Sequence, residues 1–146
     1  MNKNLIEKLN EYLANQQVMY IKLHNLHWYV KGNGFFALHA KLEELYDETA
    51  VIMDDVAERL LALGEMPVAS LKKALELTSV KELDDAPISS SDTVKALLAD
   101  VEYWIRDTKE IVGLAEEQGD GATVDQFNGY LASYQKLHWM LKAYLG

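Results

Sequence analysis

The chain has two prolines, Pro67 and Pro87, and both fall in its middle third beside the breaker runs "LGEMP" and "DDAPISSSD". Proline removes a backbone donor and clashes with the preceding helical turn, so helices stop there, while the two outer thirds are free to form long ones. In the first third Leu5, Leu9, Tyr12, Leu13, Val18 with Met19, Ile21 or Lys22, and Leu26 recur at steps of three and four. That spacing predicts an amphipathic helix, α1, over about 3–31. "KGNG" ends it with two glycines, and Leu38, Leu42, Leu45, Ile52, Val56, Leu60 and Leu63 mark a second helix, α2, over about 35–63. So short a connection makes α1 and α2 antiparallel neighbours. The stretch from Gly64 to Ser91 is far longer than the roughly 2–8 residues usual between bundle helices, so it must cross the bundle.

Inside the crossover "VASLKKALEL" predicts a short helix, α3, over about 69–77, with Ser70 as cap and Leu71, Leu75 and Leu77 apolar. Helix α4 follows over about 92–118, capped by Ser91 or Asp92, carrying Val94, Leu97, Leu98, Val101, Ile105, Ile111 and Leu114, and stopping at Gly119. Thr123 is the expected cap of α5, over about 123–145, interrupted only by Gly129. The order is hairpin, long crossover, hairpin. The expected fold is therefore all-α: a ferritin-like four-helix bundle with a short extra helix in the long crossover. At 146 residues and 49% hydrophobic content the chain suits one domain, 1–146, with its own core.

Charge and cysteine content remove several function classes. With 23 acidic against 14 basic residues the net charge is −9, which repels nucleic acid and anionic lipid and suits cations. There is no cysteine, so any metal must be held by His, Asp, Glu or water. No apolar window of about 18 residues is available for a membrane span, and a cytoplasmic location is expected.

Metal chemistry is the reading that the remaining polar residues favour. His27 near the end of α1 and His39 near the start of α2 face one another across the glycine turn. Glu43 lies one helical turn after His39 on the same face, and Asp54 and Glu58 repeat that spacing with two carboxylates. Imidazole with hard oxygen ligands suits a divalent first-row metal, particularly iron or manganese. The fifteen residues between His39 and Asp54 span roughly 22 Å of helix, too far for one chain to close one metal around both. Either the two halves are separate sites, or a second subunit's antiparallel α2 brings its carboxylates beside the first subunit's histidines, twice per isologous dimer.

These residues carry a resemblance. "HNLHW", the "LH" at His39, "MDDVAERLLALG" and the C-terminal "KLHWMLKAYLG" look like the Dps family of ferritin-like mini-ferritins, and the likeness spans nearly the whole chain. His27, His39, Asp54 and Glu58 match the family's ferroxidase ligands, and Glu43 sits where many members carry aspartate. The resemblance implies a hollow homododecamer with iron sites at two-fold dimer interfaces, each shared between two subunits. It implies that Fe(II) is oxidised, preferentially by hydrogen peroxide and otherwise by O2, and that ferric mineral is stored inside. Each site would hold two irons, or one iron plus water, so that two electrons pass to one peroxide without release of hydroxyl radical.

The resemblance also points to acidic iron-entry pores near the α4–α5 turn, where Glu116, Asp120 and Asp125 are candidates. Gly121 departs from an aspartate in some relatives, and Asp120 and Asp125 read equally well as a helix cap and a first-turn charge. Trp28, beside His27, either traps stray oxidising equivalents or packs at the dimer interface. His24, one turn before His27, supports the ligands or is simply exposed, and Asp47 is an accessory candidate. His138 and Asp55 take ordinary structural and solvated roles.

Other functional classes make different demands on the sequence. A direct DNA binder of this family usually carries a basic tail, because phosphate neutralisation dominates such affinity. Only Lys3 and Lys8 precede the body of α1, and the chain ends at "KAYLG", so weak or absent DNA binding is expected. A metal-free helical assembly module would use the histidines only for packing. A di-iron oxygenase or manganese catalase would need Glu-x-x-His pairs, and none occurs.

Overall fold

The structure, a computed structural model, describes residues 3–146; the first two residues of the expected 1–146 domain lie outside the described residues. Two compact units emerge: Leu9–Thr93, and the N-terminal residues through Lys8 together with Val94–Gly146. In order along the chain the elements are α1 (Lys3–Tyr29), β1 (Val30–Lys31), α2 (Phe35–Ala62), α3 (Leu71–Leu77), β2 (Ile88–Ser89), α4 (Ser90–Glu117) and α5 (Gly121–Leu145).

In the Leu9–Thr93 unit α1 buries Leu9, Tyr12, Leu13, Met19, Leu23 and Leu26, while α2 buries Leu38, Leu42, Leu45, Val56 and Leu60. Of the two residues expected at one position of the α1 stripe, Ile21 is exposed, because at roughly 100° per residue it lies opposite Met19, while Lys22 is buried, as is Leu23 beside it. Helix α1 stops at Tyr29, not near residue 31. Val30 and Lys31 leave the helix to pair in parallel with Ile88 and Ser89, a partnership between segments remote in sequence.

The crossover is fastened to α1 by amide side chains. Asn10 Nδ2 donates to the Met66 carbonyl (3.2 Å) and its Oδ1 accepts from the Val68 N–H (2.8 Å). Gln17 Nε2 donates to the Val68 carbonyl at 2.9 Å. Asn15, fully buried, accepts from both Thr78 Oγ1 and the Ser79 N–H at 2.8 Å. Asn25 Nδ2 donates to the Asp84 carbonyl at 3.1 Å. These contacts satisfy backbone groups that an irregular segment would otherwise leave to water.

Within the crossover α3 begins at Leu71, not near residue 69, because Ser70 stays extended and its hydroxyl accepts from the Lys73 N–H. Its apolar residues face outward: Leu71 is 76% and Leu75 53% exposed, and Ala74 is the buried position. Helix α4 begins at Ser90, earlier than the expected residue 92. Neither Ser91 nor Asp92 caps it; Ser89 does, its hydroxyl accepting from the Asp92 N–H while Thr93 Oγ1 donates to its carbonyl.

In the other unit α4 buries Val94, Leu97, Val101, Trp104, Ile111 and Ala115, and α5 buries Phe127, Tyr134, Leu137 and Leu141. The Trp104 and Tyr134 rings lie 5.3 Å apart. Lys8 pairs with the buried carboxylate of Asp107 and, at 3.5 Å, with Glu110. Helix α5 begins at Gly121, and its cap is Asp120 where Thr123 was expected. Asp120 Oδ1 accepts from the Thr123 N–H (3.2 Å) and Oδ2 from the Thr123 hydroxyl (2.6 Å).

Candidate metal centre

His27 sits in the last turn of α1 and His39 in the second turn of α2, and the glycine turn folds one back beside the other. Gly32 takes a φ of +105°, a conformation that costs a side-chain-bearing residue strain. The two imidazoles stack with centroids 3.7 Å apart and planes 11° apart. Each ring also bonds across the turn: His27 Nδ1 to the His39 carbonyl at 2.7 Å, and His39 Nδ1 to the His27 carbonyl at 2.8 Å. A carbonyl oxygen only accepts, so both Nδ1 atoms carry a proton, and in the neutral rings both Nε2 atoms keep a lone pair. Such second bonds fix the tautomer and orientation that a ligating imidazole needs. His27 is 6% exposed and His39 half-buried.

Aromatic rings surround the pair. Phe35 stacks on His39 at 5.0 Å, and Tyr46 meets His27 edge-on at 5.3 Å. Tyr46 stacks on His24 at 3.8 Å, and His24 lies 5.2 Å from Trp28, which is 68% exposed. His24 Nδ1 donates to the Tyr20 carbonyl at 2.7 Å, so its Nε2 is also unprotonated in the neutral ring. Glu43, exposed on α2, accepts from Tyr46 Oη at 3.3 Å. Desolvation first, and then the charge of Glu43 and this hydrogen bond, push the Tyr46 phenol above its ordinary range; Asp47 adds a smaller push of the same sign.

Asp54 and Glu58 lie together on an exposed face of α2. A hydrogen bond with Asp54 and then the charge of that carboxylate raise Glu58 above the usual carboxylate range, with desolvation and Asp55 contributing less. A divalent cation relieves that repulsion, which is why two adjacent carboxylates are a suitable half-site. Among the described residues no three His, Asp or Glu side chains gather around one point. The structure thus brings His27 to His39, and Asp54 to Glu58, and keeps the pairs apart.

The remaining candidates are dispersed. Glu116 and Asp125 are exposed, whereas the Asp120 carboxylate is committed to its cap. His138 Nε2 stands 3.7 Å from Glu102 Oε1. Tyr46, Phe35 and Tyr20 belong to the site's surroundings and were not singled out from the sequence. Tyr46 had a readable signal, three residues after Glu43 and seven after His39 on one helical face.

A ferritin-like domain model matches residues 6–146. The chain is 47% identical over 146 residues to general stress protein 20U of Bacillus subtilis, covering 100% of both chains. It is 42% identical over 145 residues to DNA protection during starvation protein 2 of Bacillus anthracis, covering 99% of each. The solved structure of Dps from Staphylococcus aureus superposes with a TM-score of 0.94 at 40% identity, covering 99% of this chain and 97% of that one. The chain belongs to the Dps family of ferritin-like proteins. Its fold is accordingly the all-α ferritin-like one, with the extra helix α3 in the long connection. Dps membership is consistent with iron binding and storage and with protection of DNA. No helix among the described residues is long and apolar enough to cross a membrane.

Proposed function

We propose that this Dps protein is a ferroxidase and iron store. It oxidises Fe(II), preferentially with hydrogen peroxide and otherwise with O2, and deposits ferric mineral in a hollow cytoplasmic homododecamer, limiting oxidative damage. The observation that carries this reading is the reciprocal bonding of His27 and His39, which in the neutral form leaves the Nε2 of each of two stacked rings with a lone pair. Those nitrogens supply half a ligand set, and the carboxylates of Asp54 and Glu58 supply the other half, with Glu43, one helical turn after His39, a further donor. Since the halves lie apart on one chain, a second copy completes each centre across a two-fold axis, giving two shared centres per dimer. The exposed Ile21, Trp28, Val51, Leu71 and Leu75 support an apolar contact between copies. A family model running unbroken over 6–146 supports a single domain.

Fe(II) is the substrate. Two Fe(II) ions held at one centre give one electron each to one peroxide, whose O–O bond breaks and whose oxygens leave as two waters after taking up two protons. The chain's part is to hold both ions at once, so that the second electron arrives before a hydroxyl radical escapes. Where one does form, the His24, Tyr46 and Trp28 rings stand beside the histidines as one-electron donors, with Asp47 adjacent. Iron entry rests on the exposed Glu116 and Asp125 more than on Asp120. Protection of DNA follows from removal of iron and peroxide, not from direct contact.

Anaerobic Fe(II) loading followed by stoichiometric peroxide or air, recorded by absorbance, tests this. Rapid peroxide-driven oxidation that a His27→Ala/Asp54→Ala double variant loses is the expected result. Equal slow traces from both proteins would refute it.

A further inference from the structure

The α1–α2 turn carries the geometry of the histidine pair, and its outermost tie comes from a residue that follows the crossover. Ser90 Oγ accepts from the Gly34 N–H at 3.1 Å and donates to the Lys31 carbonyl at 2.7 Å. One hydroxyl therefore spans the turn from its entry strand to its exit into α2. Beside it, Lys31 pairs with Ser89 and Val30 with Ile88 in the β1–β2 ladder, so Ser90 is delivered to the turn by backbone register. Gly32 leaves the room: a Cβ placed on it would stand 3.2 Å from Ser90 Oγ, tighter than most such contacts.

His27 lies four residues before Lys31, and His39 five after Gly34. The pair's two ring-to-carbonyl bonds require the end of α1 and the start of α2 to meet at one twist and one offset, and the turn between them is the segment that must hold both. A tripeptide containing two glycines is a soft hinge with many backbone conformations open to it. The Ser90 hydroxyl ties together the two backbone groups that bracket this hinge.

We propose that Ser90 is a positioning residue for the metal centre: it latches the glycine turn so that the His27 and His39 Nε2 atoms stay side by side. The inference rests on the ferroxidase reading for its functional consequence, but the latch is measurable without iron. The Ser90 hydroxyl bonds the backbone of the turn, so its loss acts through the turn. It lowers the fraction of chains with both nitrogens presented, raising the Fe(II) KM while leaving kcat of the filled centre nearly unchanged.

The test uses the assembled full-length protein and two variants, Ser90→Ala, which removes the hydroxyl, and Ser90→Thr, which keeps it. Hydrogen exchange by mass spectrometry reads the metal-free turn, and peroxide-driven Fe(II) oxidation reads the centre. In Ser90→Ala the peptide spanning residues 30–38 is expected to exchange about five- to ten-fold faster, the factor that corresponds to one net hydrogen bond. The Fe(II) KM is expected to rise by a similar factor with kcat within about two-fold, and Ser90→Thr to restore both values. Unchanged exchange in Ser90→Ala overturns the latch. Faster exchange with an unchanged KM overturns its positioning role, as does a Ser90→Thr protein as loose as Ser90→Ala. If wild type itself shows no saturable Fe(II) oxidation, the ferroxidase reading fails and the positioning role fails with it, while the exchange data still decide whether the hydroxyl holds the turn.

Discussion

His27 and His39 each give a ring N–H to the other's backbone carbonyl, at 2.7 and 2.8 Å, while their rings stack 3.7 Å apart. Neither imidazole is a freely rotating side chain. Both are tied into the junction of two helices in the tautomer whose second nitrogen carries a lone pair when the ring is neutral, which is what a nitrogen ligand to Fe(II) requires.

His39→Ala removes one proposed ligand and also the donor that bonds the His27 carbonyl. Fe(II) oxidation is expected to fall by at least the roughly 10–100-fold that losing a ligand-supporting contact costs. Stability is expected to fall by about 1 kcal/mol, the usual net worth of one hydrogen bond, as read by denaturant titration of the metal-free protein.

Asp54→Asn is expected to move stability and activity in opposite directions. Glu58 is raised by the Asp54 carboxylate, so its protonated form is favoured on folding. A raised folded-state value contributes stability that is complete at pH below the unfolded glutamate range and is lost as pH rises through the folded value. At neutral pH the metal-free wild type therefore carries the repulsion and the variant does not. The variant's Tm is expected to exceed wild type at pH 7.5, with the gap closing at pH 4, while Fe(II) oxidation drops.

Asn15→Ala is expected to loosen the crossover without touching either half-site. Its buried Oδ1 accepts from Thr78 Oγ1 and from the Ser79 N–H. Leaving those donors unpaired costs about 1–3 kcal/mol. Differential scanning calorimetry should show the lower stability, and exchange should rise around residues 78–80 while Fe(II) oxidation stays near wild type.

Direct DNA binding is expected to be weak or absent. The net charge is −9, and the lysines nearest the N-terminus have acidic partners: Lys3 lies 3.8 Å from Glu7, and Lys8 is paired with Asp107 and Glu110. A gel-shift assay on supercoiled DNA in low salt with chelator should show no retardation at micromolar protein. Retardation there would contradict the expectation, because counterion release is strongest under those conditions.

The helices were legible because burial imposes the three-and-four spacing that Leu9, Leu13, Leu26, Leu42, Val56 and Leu60 obey. Their ends were less so. Four serines and aspartates compete to cap α4 between Ser89 and Asp92, and only the register with β1 selects Ser89. At α5, Asp120 and Thr123 bond each other, and sequence does not say which one is the cap. The crossover's length and its short helix were legible, but its fastening was not: Asn10, Asn15, Gln17 and Asn25 hold residues 66–84 mostly through backbone groups that no pattern encodes. The outward leucines of α3 reversed an apolar stripe that spacing alone would have buried. At the site, residue types and spacing singled out His27, His39, Asp54 and Glu58, but the tautomers and the Ser90 tie depend on contacts between distant segments.

The most direct test of a centre shared between copies is complementation. A His27→Ala/His39→Ala protein and an Asp54→Ala/Glu58→Ala protein are each dissociated, mixed in equal amounts and reassembled, with wild type carried through the same steps. Each variant alone is expected to be inactive in peroxide-driven Fe(II) oxidation. Random pairing makes half the dimers mixed, each with one of two centres intact, so the mixture should regain about a quarter of wild-type activity. A mixture as inactive as its parents, beside a fully recovered wild type, would contradict the shared centre.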